Sequence, residues 1–442
     1  MNCCHFDVYM LLTTLSDLTS APFQHLISLR HLNLSHNRIR TITTRLFYNL
    51  TILESLDLSD NPISEITPQN TIDLRPLRRL HMSNCRLSEL HSLFYRNVPN
   101  LELLDLRNNH IESLHKQEYR YLPNLTELYL DGNQLVVLPS MLLFGNHLAR
   151  LGLSANALVQ MHSETFLNAT VTELNLSNNN FTAFDGNTFT PLALCLKVLD
   201  LSNIRSLKEP STAVAKLIAP LSVLEKVSLS NLSLDSALLP VNLFSNHRKY
   251  LKSVNFSHNS FNQLDAKLIE EMNSLEVIDV SHNSLFELDA DFLFSLSNLV
   301  NLTFAYFDHN PWSCFRCHLL VFRNLVSSTG DRPLTAYQNA CQQQNRCAEC
   351  TFPPQLEGYQ LHTLEEWQLV LTTPFCFFIN NCFITFTPYS GMVHRPDGST
   401  ARLHHRTQRR PGPRPADHHH PDDCHHLRDH LLPKPRRHLL HQ

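Results

Sequence analysis

Eight asparagines constrain this chain more than anything else in it. Asn37, Asn61, Asn109, Asn133, Asn156, Asn179, Asn259 and Asn283 hold one place in the pattern L-x-x-L-x-L-x-x-N-x-L; the last copy reads either as Leu302-x-x-Ala305-x-Phe307-x-x-Asn310 or in a register three residues earlier. Their spacing is 24 residues, then 48 across a copy with Cys85 in the slot, then 24, 23 and 23. A fixed period of this length marks a solenoid of stacked units. Each unit supplies a short strand with Leu pointing inward and the intervening residues outward. The turn that follows would leave backbone N–H and C=O groups unpaired inside the coil. A carboxamide both donates and accepts, so asparagines stacked from turn to turn can satisfy them.

The predicted fold is therefore α/β: a leucine-rich-repeat solenoid, a curved horseshoe with a parallel concave sheet, of about twelve repeats over residues 1–310. A small disulfide-stapled cap is expected over 311–376, then a poorly defined apolar segment over 377–389 and a disordered tail over 390–442. Units that pack only on their neighbours escape the usual limit on domain size. A second apolar column, Phe23, Phe47, Phe94 or Tyr95, Tyr119, Phe144, Phe166 and Phe189, should fill the convex side. Residues 191–250 break the rule. Ile204 and Leu232 stand in the Asn slot, the period stretches to 28 and 27, and Thr212–Leu221 reads as a short convex helix. Val8, Met10 and Leu15 fall in the Leu columns extended backwards, with no secretion-signal pattern before them. The chain is expected to open inside a repeat, its N-terminal cap missing.

Lys and Arg total 36 against 40 Asp and Glu, so the balance carries no nucleic-acid signature. Between residues 5 and 310 only Cys85 and Cys195 occur, whereas Cys314, Cys317, Cys341, Cys347, Cys350, Cys376 and Cys382 crowd into one stretch. Such clustering indicates a stapled module in an oxidising compartment. A second reading stays open, since Cys314-x-x-Cys317 and Cys347-x-x-Cys350 also have a four-cysteine zinc spacing.

Asn310-Pro311-Trp312-Ser313-Cys314 resembles the C-terminal flanking cap of extracellular leucine-rich-repeat proteins. The run from Cys350 through Pro353, Leu356 and Gly358 is similar to that cap's second half, closed by Cys376. The 24-residue period with its convex Phe and Leu column resembles Toll-like receptor ectodomains and related adhesion and matrix proteins. The resemblance covers roughly residues 5–376. It implies that Cys314 and Cys317 pair with Cys350 and Cys376, leaving Cys341 and Cys347 for each other. It also implies a membrane-attached receptor that binds a protein or microbial ligand, as a homo- or heterodimer. Three departures stand out: the cap opens C-x-x-C rather than C-x-C, it has two extra cysteines, and no Toll-type signalling domain follows.

From Ser390 to Gln442 there are 11 His, 9 Arg and 7 Pro and no Phe, Tyr, Trp or Ile, a composition that cannot bury a core. His418–His420 and Asp422–His426 could form a metal-binding tract. Alternatively the reading frame slips after the cap, because His, Asp and Arg codons read one base later give Thr, Ile, Val and Ala. A membrane helix of about 20 residues would then be encoded in the neighbouring frame. Trp367–Phe386 is apolar, but Gln368, Pro374, Asn380 and Asn381 make it a poor membrane span. It is expected to start as a last cap strand.

No phosphate-binding glycine loop, nucleophile elbow or H-E-x-x-H is present in the sequence, so no catalysis, cofactor or metal site is expected. The outward column Asn33, Asp57, His81, Asp105, Tyr129, Gly152, Asn175, Asp200, Ser228, Asn255, Asp279 reads mainly as a solvated polar face. Within it His81, Asp105 and Tyr129 are the ligand-face candidates. Arg248 and Lys249, at the end of the irregular part, are a second candidate for an acidic ligand. Nine N-x-S/T sequons occur. Those at Asn49, Asn124 and Asn168 lie off the strands and are the expected glycosylation sites. The functional expectation is non-catalytic recognition by a truncated Toll-like ectodomain, with a secreted or surface adhesion protein, or a non-functional gene product, as alternatives.

Overall fold

The structure is a computed structural model and describes residues 7–9, 23–42, 46–66, 74–90, 92–315, 322, 334–364, 368, 376–379 and 382–385. Met10, Leu15, Cys317, most of Trp367–Phe386 and the tail from Ser390 lie outside the described residues, with the expectations placed on them.

Among the described residues, thirteen strands form one parallel sheet in strict chain order. They are Asp7–Tyr9, His31–Asn33, Ser55–Asp57, Arg79–His81, Leu103–Asp105, Glu127–Tyr129, His147–Gly152, Thr170–Asn175, Val198–Asp200, Lys226–Ser228, Ser253–Asn255, Val277–Asp279 and Phe304–Tyr306. The register follows the sequence period: Val8 pairs with Leu32, Leu32 with Leu56 and Leu56 with Leu80. Asp7–Tyr9 is thus already a repeat strand. Ile278 pairs with Ala305, which fixes the register of the last copy. In most strands the middle residue is buried and its neighbours are half-exposed, as period-2 alternation requires.

Two devices turn the chain at the end of each strand. The residue before the ladder position adopts the left-handed backbone, at His36, Asp60, Asn84, Asn108, Gly132, Ala155, Asn178, Asn203, Asn231, His258, His282 and His309. That region tolerates Asn, Asp, His and Gly best, and those residues fill all but one of these corners. At Gly132 an added Cβ would also stand 2.1 Å from Asn108 Oδ1. The second device is the ladder. Asn133 Nδ2 donates to Leu106 O of the preceding turn at 2.9 Å and to Leu130 O of its own at 3.0 Å, while Oδ1 accepts from Ile111 N at 3.0 Å. Asn61, Asn109, Asn156, Asn179, Asn259, Asn283 and Asn310 repeat these contacts. Asn37 donates within its own turn, to Leu34 O at 3.0 Å. Cys85 fills the slot with its thiol 3.5 Å from Leu58 O. Burial pushes that thiol's pKa up to about 11, so it stays protonated and remains a donor.

The irregular turns replace the ladder with packing. Ile204 and Leu232 are buried in the Asn slot. The inserted residues form a helix at Pro210–Ile218, shorter than and offset from the predicted Thr212–Leu221, with Val214, Leu217 and Ile218 turned into the core.

The convex column is buried at Phe23, Phe47, Phe94, Tyr95, Tyr119, Phe166 and Phe189, but Phe144 is 38 % exposed. Leu143 takes its place with 0 % exposure, because 24 residues after Tyr119 is position 143. Trp312 closes the array: it is buried, donates Nε1 to Phe307 O at 2.8 Å, and packs edge-on against Phe307. Trp312–Ser313 pairs in parallel with Cys350–Phe352, and Cys314 is bonded to Cys350 and Cys341 to Cys347. These bonds exclude the four-cysteine zinc site, since three of its four ligands, Cys314, Cys347 and Cys350, are in disulfides. Cys376–Ile379 pairs antiparallel with Cys382–Thr385, so the segment expected to begin as a last cap strand contains a hairpin. Among the described residues no helix is long and apolar enough to cross a membrane.

Candidate functional site

Most of the outward column has structural work. Asn33, Asp57, Asn175, Asp200, Asn255 and Asp279 each accept the backbone N–H of the serine two residues on, at 2.8–3.0 Å. Such a side-chain acceptor closes a local turn. That serine recurs at 35, 59, 83, 154, 177, 202, 230, 257 and 281. Only Arg107 and Asp131 interrupt it between positions 35 and 281. The interruption falls on adjacent turns, and the remaining unusual side chains gather around it.

Asp57, His81, Asp105 and Tyr129 face one another in register on successive strands. Asp105 accepts the Arg107 backbone N–H at 3.1 Å and its guanidinium at 2.9 and 2.6 Å, with His81 Nδ1 3.6 Å away. Burial alone would raise the Asp105 carboxyl. His81 and the fork of Arg107 outweigh it and hold the pKa well below the usual range. Asp105 is thus an anion fully committed to its neighbours, and Arg107 is left lying over Tyr129, 5.2 Å from the ring centroid.

Tyr129 donates its hydroxyl to Glu127. Burial, then the nearby Glu127 carboxylate, raises the phenol's pKa. Arg150 bridges Glu127 at 3.4 Å and Glu173 at 3.1 Å. Gly152 leaves room for the Asp131 carboxylate: an added Cβ would stand 2.0 Å from Asp131 Oδ2 and push it, and Asp131 Oδ1 takes Ser154 N at 2.9 Å and Ser154 Oγ at 2.6 Å. The missing side chain leaves a hollow of about 280 Å³ lined by Tyr129, Asp131, Arg150, Gly152, Glu173, Asn175 and Asp200. An aromatic ring beside two arginines and five carboxylates, Asp105, Glu127, Asp131, Glu173 and Asp200, gives a surface of mixed charge.

The sequence placed His81, Asp105 and Tyr129 together, and the structure brings them into one row. Arg107, Glu127, Asp131, Arg150 and Glu173 were missed. The signal for them was present, since the serine column is broken at 107 and 131 and residues two apart on a strand share a face. Arg248 and Lys249 lie elsewhere, before Ser253–Asn255, which is five places along the sheet from the Tyr129 strand, roughly 24 Å at about 4.8 Å per strand. Arg248 is paired with Glu270 at 3.6 Å and Glu271 at 2.6 Å, and Lys249 lies over Tyr250 at 4.9 Å. Asn49, Asn124 and Asn168 are exposed, whereas Asn33, Asn175 and Asn255 are half-buried with their side-chain oxygens engaged.

Leucine-rich-repeat family profiles match residues 13–63 and 75–135, 53–74, and 167–183. These segments are leucine-rich repeats, and the chain folds as a leucine-rich-repeat solenoid. Comparison with the curated proteins returns no match. Among solved structures, this leucine-rich-repeat chain is similar to one in the mouse RP105/MD-1 complex, with TM-score 0.58, 20 % identity, and coverage of 76 % of this chain and 58 % of that one. It is also similar to a chain of the TLR13–ssRNA13 complex, with TM-score 0.53, 22 % identity, and coverage of 79 % and 55 %. A third likeness is to a chain of the octameric complex of latrophilin 3, Unc5D and FLRT2, with TM-score 0.51, 19 % identity, and coverage of 79 % and 93 %. At these identities the likeness is one of fold. The chain spans a little over half the length of the TLR13 and RP105/MD-1 chains.

Proposed function

We propose that this is a non-catalytic recognition protein, the ligand-binding ectodomain of a Toll-like pattern-recognition receptor, and that it binds a protein on the sheet face around Tyr129, Arg107 and Arg150. The observation that carries this reading is the coincidence of two departures from the repeat. The serine column breaks at Arg107 and Asp131, and the hollow over Gly152 opens beside them. Tyrosine and arginine dominate the binding energy of protein interfaces. The mixed charge favours a protein over a polyanion, which Glu127, Asp131 and Glu173 would repel. RP105 and FLRT2 stand in complexes with other proteins. The disulfides Cys314–Cys350 and Cys341–Cys347 support an oxidising compartment, in which the exposed Asn49, Asn124 and Asn168 would carry glycan.

The test displays the full chain against an array of extracellular proteins and a single-stranded RNA. Tyr129→Ala and Arg150→Ala should each weaken the protein hits at least tenfold, while Ser202→Ala leaves them unchanged. Hits that survive both substitutions, or RNA that competes for this face, would overturn the proposal. A surface adhesion protein is the second reading, favoured by the 93 % of the chain spanned in the FLRT2-containing complex. Translation of the gene beyond the Cys376 codon in all three frames separates the two. A membrane helix followed by a Toll-type signalling domain supports the receptor, and a stop codon in every frame supports adhesion.

A further inference from the structure

Where the last repeats meet the cap, three histidines occupy successive left-handed corners. The rings of His258 and His282 stack with centroids 4.0 Å apart, and those of His282 and His309 at 4.1 Å, each pair within 10° of parallel. Beside them lies Asp308, its side chain only 4 % exposed, with one carboxylate oxygen 2.9 Å from His309 Nδ1. Arg346 reaches in from the cap and pairs with Asp308 at 2.9 Å and Asp279 at 3.0 Å. Two carboxylates therefore face one guanidinium, and Glu349 and Glu357 line the same cavity of about 820 Å³. The surplus charge is negative and adjoins the three imidazoles. Burial, then the neighbouring His258 and His309, holds the His282 pKa below its ordinary value.

One ligand atom from each of His282, Asp308 and His309 falls within 4.8 Å of the others. We propose that this junction is a site for a borderline divalent ion such as Zn²⁺, held by the two imidazoles and the Asp308 carboxylate, with water completing the coordination. Imidazole and carboxylate are suited to such an ion. A zinc–nitrogen bond of about 2.0–2.1 Å requires ligand atoms closer than the stacked rings place them, so His309 must turn inward. It can do so, since its side chain is 65 % exposed. Asp308 serves two neighbours at once, and through Arg346 the ion would couple the final repeat to the cap.

The test is zinc titration of the full chain at pH 7.5 by equilibrium dialysis, comparing wild type with His309→Ala and with His282→Ala/His309→Ala. The histidines of the tail are common to all three and cancel. Wild type should hold one tight equivalent more than the double variant, and His309→Ala should weaken that equivalent at least tenfold. Cobalt(II) added in place of zinc should give a visible absorption in wild type that His309→Ala reduces. His309→Ala alters an exposed side chain, so its far-UV circular dichroism should match wild type. Equal stoichiometry and affinity in wild type and His309→Ala would overturn the proposal.

Discussion

The turns around Asn133 and those around Ile204 solve one problem with opposite chemistry. Both must close a coil whose strand ends would leave backbone groups facing the interior. The Asn133 turn inserts a carboxamide that bonds to both its own and the preceding turn. The Ile204 turn inserts a buried hydrocarbon and is followed by the helix Pro210–Ile218. The carboxamide fixes which backbone groups meet across the turn because its bonds are directional. Packing is not directional, so the period there can grow from 23–24 residues to 28 and 27. Burial replaces the ladder at Ile204 and Leu232, but a longer turn does not require that loss: Asn283 and Asn310 stand 27 residues apart with their ladder bonds intact and the helix Ala290–Ser297 between them.

The largest effect expected from this comparison is at Ile204. Ile204→Ala should leave a cavity and cost about 2–5 kcal/mol in urea unfolding. A cost below 1 kcal/mol would show that the irregular turn is not sealed by that side chain. Asn133→Ala should cost about 1–3 kcal/mol, because Ile111 N loses its acceptor and Leu106 O one of its donors. A change near zero there would break the ladder half of the comparison.

The third effect depends on pH. His247 is buried and donates Nε2 to Ile218 O at 3.1 Å, supporting the end of the inserted helix. Burial lowers its pKa from 6.5. The unfolded chain therefore binds more protons than the folded one once pH drops below about 6.5, so stability should decline as pH falls through the folded value. His247→Gln should flatten the melting temperature between pH 7 and 5 relative to wild type. An unchanged slope would remove His247 as the cause. The smallest effect is at the surface. Arg248→Ala breaks exposed pairs with Glu270 and Glu271 and should cost less than about 1 kcal/mol. A larger loss would mean that this edge is more than solvated charge.

The sequence disclosed its repeat because the ladder and the corners each demand a narrow set of residues. Asn is needed where both a donor and an acceptor are required, and Asn, Asp, His or Gly where φ is positive. The irregular stretch was visible only as a failure of that rule, and its helix was displaced by two to three residues. Phe144 was misassigned because a large ring is a stronger cue to the eye than a count of 24, yet Leu143 holds the buried position. The candidate face was half legible. His81, Asp105 and Tyr129 stood out as unusual in one column, whereas Arg107 and Asp131 required the serine column to be recognised as a separate structural feature.

By itself the sequence determined the ladder and the strand register of all but the last copy, because both follow from contacts repeated at a nearly constant interval. Only the tertiary structure decided which polar residues are free. Whether a carboxylate on the sheet is spent on its own turn, as Asp57 is on Ser59, depends on local geometry that residue type does not reveal. Nor does any period predict that Arg346, 67 residues from Asp279, folds back to lie beside a row of stacked histidines. The cap is not a repeat, so its contacts with the array are set by the packing of two different surfaces.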